Sequence, residues 1–210
     1  MAHAKNESSG ARRLTGARVK RVKSPGAPVK LPILCASDVL RVARVFSRSE
    51  CAEIIALAAA LEKHRDGFRN FGEVRGASEV CWLPTPSAPD WLVERVTELV
   101  EEAAGQFEFD VSHALEDFKL IRYARNNRVA WHVDCAGGPT ATRKLTLTAL
   151  LSAPSDFDGG ALTVAGYPNE LHRDIGDVVI FPSFLAHKVT TVTRGARHTL
   201  IAWAHGTPFR

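Results

Sequence analysis

Residues 117–134, DFKLIRYARNNRVAWHVD, decide how the carboxy-terminal half of the chain is read. DFKLIRY and RVAWHVD are rich in β-branched and aromatic residues, and the Asn126-Asn127 pair supplies turn chemistry between them. The pattern continues downstream as RKLTLTALLS (143–152), ALTVAG (161–166), DVVIFP (177–182), AHKVTTV (186–192) and RHTLIAWA (197–204). Short strands that follow one another without intervening helices indicate a double-sheet barrel or sandwich, with a jelly roll among the candidates.

Upstream of this region two helices are legible. Ser47 and Glu50 have capping-box spacing, and Cys51, Ile54, Ile55, Ala58 and Leu61 follow at helical period up to Gly67. A second helix starts near Asp90, places Leu92, Val96, Leu99, Val100 and Ala103 on one face, and is expected to stop at Gly105. Both read as scaffold. The expected architecture is therefore mostly β, braced by amino-terminal helices.

Charge divides the chain. Residues 1–30 carry eight Lys or Arg against one acid, Glu7, and no aromatic residue to seed a core. Residues 31–210 carry 19 basic and 22 acidic side chains, so the basic character belongs to the segment 1–30 and not to the domain expected over 31–210. We expect 1–30 to be a solvated, disordered tail; nucleic-acid contact or an organelle address are the other uses of such a polycation. The cysteines, Cys35, Cys51, Cys81 and Cys135, show no C-x-x-C spacing, which speaks against a zinc ribbon or disulfide scaffold and for reduced thiols. No apolar run approaches the roughly 18 residues of a membrane span, and a cytoplasmic location is expected.

Among the His-x-Asp pairs of the chain are His132/Asp134 and His172/Asp174. In a strand, residues i and i+2 face the same side, so His132 and Asp134 can reach one ion, with Val129, Trp131 and Val133 on the opposite face. His172 and Asp174 sit in YPNELHRDIGD among Pro, Asn and Gly, and read as a surface loop. His187, on the AHKVTTV run, is the candidate third ligand. Two imidazoles and one carboxylate on one side of an ion are the facial set of non-haem iron(II) oxygenases, although zinc can use the same donors. Arg197, ten positions after His187, opens an otherwise apolar run in which Arg197, Thr199, Ile201 and Trp203 share a face. Burying that guanidinium is costly without an anionic partner, and a carboxylate held bidentately fits it.

On these residues the sequence resembles the iron(II)- and 2-oxoglutarate-dependent dioxygenases, in their prolyl-4-hydroxylase-like branch. The resemblance is carried by LIRYARNNRVAWHVD (120–134), RKLTLTALLS, DFDGGALTV (156–164), IGDVVIFPSFLAHKV (175–189) and TRGARHTLIAW (193–203), with weaker similarity in VRGASEVCWL (74–83). It implies a double-stranded β-helix of the cupin-like, jelly-roll kind. Iron(II) would be bound by His132, Asp134 and His187, and the distal carboxylate of 2-oxoglutarate by Arg197. Tyr123 would donate near the cosubstrate, and Thr146 and Thr199 would line its pocket. Molecular oxygen is the co-oxidant, and ascorbate a reductant for the iron. Arg75, Ser78, Trp82, Arg128 and Arg143 are the residues placed toward substrate, which the branch suggests is a prolyl side chain in a protein or peptide, with a free amino acid or small metabolite as the alternative. Gly159 and Gly160 are expected to supply a turn. Leu150 departs from the family, whose members often place a polar side chain there to make a second hydrogen bond to the distal carboxylate. The rival of another class is a cupin-like module whose cluster holds zinc or nothing, with the basic tail recruiting nucleic acid.

Overall fold

The computed structural model describes residues 39–61, 64–66, 78–112, 115–167 and 171–209; the basic segment 1–30, Cys35, Gly67 and Arg75 lie outside these. In chain order the described elements are β1 (Leu40–Val42), α1 (Arg48–Ala59), β2 (His64–Asp66), β3 (Ser78–Leu83), α2 (Asp90–Phe107), β4 (Phe118–Tyr123), β5 (Val129–His132), β6 (Arg143–Leu150), β7 (Phe157–Gly159), β8 (Leu162–Val164), β9 (Val178–Pro182), β10 (His187–Val189), β11 (Val192–Gly195) and β12 (Arg197–His205). Seven strands form one sheet in the order β1-β9-β6-β12-β4-β3-β2, three form a second in the order β5-β10-β8, and β11 pairs with β7. The pairings are antiparallel, as expected for a jelly roll, and every β-rich run read from the sequence contains a strand.

Period-two alternation assigns each large-sheet strand two jobs. In β6, Leu145, Leu147 and Ala149 join the core formed with the helices, whereas Thr146 and Thr148 face the cavity between the sheets. In β12, Leu200, Ala202 and Ala204 meet the helix side, whereas Arg197, Thr199, Ile201 and Trp203 face the cavity. The helix-side core takes Cys51 and Ile54 from α1 and Leu92, Val96, Val100, Ala103 and Ala104 from α2. Each fully buried Leu or Val contributes about 1.5–3 kcal/mol there. A second core under the small sheet joins Val80, Ile121, Val179 and Phe181 to Leu162, Val164, Val189 and Val192.

The helix starts match the expected signals, and the helix ends do not. Ser47 accepts from the Glu50 N–H at 3.2 Å while the Glu50 carboxylate accepts from the Ser47 N–H at 2.7 Å. However, α1 ends at Ala59, short of Gly67, because His64–Asp66 is taken up by backbone pairing with β3. In turn, α2 runs through Gly105 to Phe107 and closes at Glu108, which takes the left-handed conformation (φ 55°) and donates its N–H to the Ala104 carbonyl. The Phe107 and Phe109 rings, 5.8 Å apart, fix this exit by packing, for which a glycine signal is not needed.

Asp177, at the entry to β9, is a buried carboxylate that ties three segments together. It accepts from the Arg41 guanidinium of β1, from the Arg44 N–H at 3.1 Å, and from the Arg173 and Asp174 N–H groups at 3.0 Å each. Burial alone would raise its pKa; the hydrogen bonds from Arg41 and these backbone donors outweigh it and hold the pKa below the ordinary value. A depressed folded-state pKa means that the stabilisation is present above the unfolded-state pKa and is lost as pH falls through the folded one. Asp177→Ala is expected to cost about 3–5 kcal/mol at neutral pH, and urea melts from neutral to acid should show a flatter pH dependence than in the wild type. An unchanged melt would remove Asp177 from this role.

Candidate metal centre

His132 ends β5 and His187 begins β10, and the two are direct cross-strand partners. Their ring centroids lie 4.2 Å apart. In each ring Nδ1 faces a backbone carbonyl, Ala130 at 2.9 Å for His132 and Leu185 at 3.0 Å for His187. A carbonyl can only accept, so Nδ1 carries a proton and Nε2 is the inward-facing nitrogen, a metal ligand when unprotonated and, on His132, a donor to Asp134 when protonated. Asp134 meets both: Oδ1 lies 3.5 Å from His132 Nε2 and Oδ2 lies 3.5 Å from His187 Nε2. The three ligand atoms fall within 4.8 Å of one another, the one such cluster among the described residues.

Asp134 does not owe its position to strand alternation. The strand β5 stops at His132, and Asp134 lies in the turn beyond, anchored because the Asp134 and Cys135 N–H groups both donate to the Ser183 carbonyl at 2.9 Å. Its carboxylate is further held by the Thr146 hydroxyl, which donates to Oδ2 at 2.8 Å and lies 3.0 Å from Ser183 Oγ. Burial would raise the Asp134 pKa, but hydrogen bonding to His132 and the neighbouring imidazoles hold it far down, so it is a carboxylate at any working pH. Burial also disfavours a charged His132, yet the hydrogen bond and charge of Asp134 prevail and raise its pKa; for His187 burial prevails and lowers it. Two neutral-capable imidazoles and a permanent carboxylate, converging from one side, suit a divalent ion and leave its other positions open. Of the residues expected on the face opposite His132, Trp131 and Val133 are exposed, with Lys188 Nζ 4.7 Å from the Trp131 ring centroid.

The same cavity holds Arg197, which is only 2% exposed. Its Nη1 is buried without a hydrogen-bond partner, and the guanidinium has no salt bridge among the described residues. Tyr123, paired opposite it in β4, stacks with its ring centroid 5.3 Å from the guanidinium carbon. Burial raises the Tyr123 pKa, so the phenol keeps its proton and can donate. Thr199 Oγ1 is likewise buried and unpaired. Gly160 makes room for this arginine: at φ 63° it is left-handed, and a Cβ there would stand 2.9 Å from Arg197 Cδ and 3.0 Å from Val192. Thus Gly160 is both the expected turn residue and a wall of the site.

His172 corrects the sequence reading. Although next to a turn, its ring points inward: Nε2 lies 2.9 Å from the Thr148 carbonyl and Nδ1 lies 3.2 Å from Arg197 Nη2. Asp177 is the reason, because its bonds to the Arg173 and Asp174 N–H groups fold the loop back against β9. Lys119, Thr148 and Phe181 also line the cavity and were not anticipated; Lys119 shares the parity of Tyr123 and Thr148 that of Thr146, which is the signal that could have found them. The Phe181 ring lies 4.8 Å from His187.

The residues expected toward substrate are less uniform. Trp82 is 38% exposed and packs on two cavity residues, with its ring 6.0 Å from that of Trp203 and 5.5 Å from Lys119 Nζ. Ser78 is buried at the start of β3, opposite Asp66, so its hydroxyl is not at an open mouth. The Arg143 guanidinium is engaged by both carboxylate oxygens of Glu116 at 2.7 and 2.6 Å and stacks 3.9 Å over Trp203, which gives it a wall-building place instead of a free charge. Arg128 is half-buried just before β5, and Arg75 lies outside the described residues.

Two histidines and one carboxylate converging from one side are the facial set that non-haem iron(II) oxygenases use. Residues 118–205 match the model of the 2OG-Fe(II) oxygenase superfamily. A PKHD-type hydroxylase of Shewanella frigidimarina is 33% identical over 90 residues (39% of this chain, 40% of the relative). The PKHD-type hydroxylase YbiX of Escherichia coli is 35% identical over 121 residues (53% of each). The chain thus spans about half the length of the curated relatives it matches. Among solved structures, a Pseudomonas putida prolyl-4-hydroxylase shares the fold at TM-score 0.65 and 16% identity, over 81% of this chain and 94% of that one. A 2OG-Fe(II) oxygenase-family oxidoreductase of Burkholderia pseudomallei does so at TM-score 0.64 and 18% identity, over 81% and 86%. No described helix is long and apolar enough to cross a membrane.

Proposed function

We propose that this protein is an iron(II)- and 2-oxoglutarate-dependent hydroxylase acting on a prolyl or similar residue of a protein or peptide. One observation carries the reading: Arg197 is a buried cation with an unpartnered Nη1, and it lines the same cavity as the open face of His132, Asp134 and His187. A dicarboxylate with a 2-oxo acid at one end fits both features, the 2-oxo acid toward the metal and the distal carboxylate on the arginine fork.

In this reading His132 and His187 present Nε2 to the metal, each oriented by its own carbonyl, and Asp134 is held by Thr146 and the Ser183 carbonyl. Bound iron, oxygen and 2-oxoglutarate supply the oxidation, in which carbon dioxide and succinate leave and one oxygen atom of O2 enters a C–H bond of the substrate. Tyr123 and Thr199 line the cosubstrate side, and the apolar members Ile121, Leu162, Phe181 and Val189 restrict water around it. Trp82, exposed and seated on Trp203 and Lys119, offers an aromatic platform for a peptide at the rim. The names of the structural relatives, a prolyl-4-hydroxylase and a prolyl hydroxylase in complex with a peptide fragment, support a peptidyl substrate over a free amino acid.

The test is succinate release by purified, iron-loaded full chain, screened against proline-containing peptides and free amino acids. Turnover that depends on iron, 2-oxoglutarate and a peptide is expected. Tight zinc binding with no loss of 2-oxoglutarate under any substrate would overturn the proposal in favour of a non-catalytic metal module.

A further inference from the structure

We propose that His172 is a positioning residue for Arg197, the neutral acceptor that aims the guanidinium at the distal carboxylate of 2-oxoglutarate. This rests on the reading of Arg197 as the cosubstrate anchor. The geometry sets the tautomer. The Thr148 carbonyl accepts from Nε2–H, so the Nδ1 lone pair is free to accept from Arg197 Nη2 at 3.2 Å. One fork nitrogen of the arginine is thereby fixed, while Nη1 stays buried and unpaired, available to a ligand.

A histidine serves this purpose in a way a carboxylate cannot. Asp or Glu at the same place would hold the guanidinium but neutralise it and compete with the incoming dicarboxylate. A neutral imidazole orients the cation and leaves its charge for the ligand. The surroundings keep the ring neutral: burial, then the charge of Arg197, push its pKa down to about 3, with Asp177 opposing and Arg41 adding to the effect. Leu150 shares the parity of Thr146 and Thr148 on β6 and is buried, and its side chain carries no polar atom. His172 reaches the arginine from the loop before β9 instead, a loop whose course is set by Asp177.

The test is equilibrium binding of two 2-oxo acids to the metal-loaded full chain under anaerobic conditions, with the metal affinity measured alongside. The acids are 2-oxoglutarate and 2-oxobutyrate, which has no distal carboxylate. The wild type should prefer 2-oxoglutarate. His172→Leu should weaken 2-oxoglutarate by roughly tenfold or more, the usual effect of a lost hydrogen bond to a charged group, and leave 2-oxobutyrate and the metal unchanged. His172→Asn, whose Oδ1 falls near the place of Nδ1, should recover most of the affinity. Unchanged 2-oxoglutarate binding in His172→Leu, an equal loss of both acids, or no recovery in His172→Asn overturns the positioning role. A wild type that does not discriminate the two acids removes Arg197 as anchor, and that outcome is distinct from the others.

Discussion

Arg197→Ala is expected to weaken 2-oxoglutarate binding by about 2–5 kcal/mol, roughly 30-fold to several thousand-fold, with the metal affinity preserved. The size follows from the surroundings of the guanidinium. It is 2% exposed and meets no carboxylate among the described residues, so a ligand carboxylate would enter a dry site and be met by a full, unscreened charge. Removing the arginine strands that carboxylate beside Thr199 and Tyr123, which can donate hydrogen bonds but bring no charge. Arg197→Lys should recover only part of the loss, because a point charge cannot reproduce the fork. Calorimetric titration of the metal-loaded variants measures this directly, and equal affinity in wild type and Arg197→Ala would dismiss Arg197 as the anchor.

Asp134→Ala is expected to have the other large effect, a loss of metal affinity beyond the ~10–100-fold that follows removal of an outer-shell partner. Asp134 is the one anionic donor of the set, and it also accepts the Thr146 hydroxyl. Without it two imidazoles remain, their Nδ1 atoms still tied to Ala130 and Leu185, so the rings keep their places while the charge that draws a divalent ion is gone. Metal content after dialysis against a weak chelator reports the change. Thr146→Val, which frees the same carboxylate without removing it, should show a smaller loss, and metal retained by Asp134→Ala at wild-type level would refute the ligand assignment.

The strands were legible because each buries one face, which imprints a two-residue period on runs such as RKLTLTALLS and RHTLIAWA. The same period placed Arg197 inside and would have placed Lys119 and Thr148 there too. The start of α1 was legible because Ser47 and Glu50 satisfy donors locally. What sequence could not show was set by contacts between distant residues. α1 ends where β3 captures the next segment, α2 ends where Phe107 and Phe109 pack, and Asp134 is placed by a carbonyl 49 residues away. His172 is the clearest case. Its Pro-, Asn- and Gly-rich setting reads as surface, and only Asp177, a buried acceptor with no local signature, turns the loop inward.

The alternation of β6 and β12 carries a consequence for how such a pocket can change over time. Leu147 and Thr148 are neighbours in the chain, yet the first joins the helix-side core and the second lines the cavity. Substitutions at Thr146 and Thr148 can therefore change the cavity wall while the helix-side packing of Leu145, Leu147 and Ala149 stays as it is. The strand in effect separates change in the cavity wall from change in the helix-side core, residue by residue along its length.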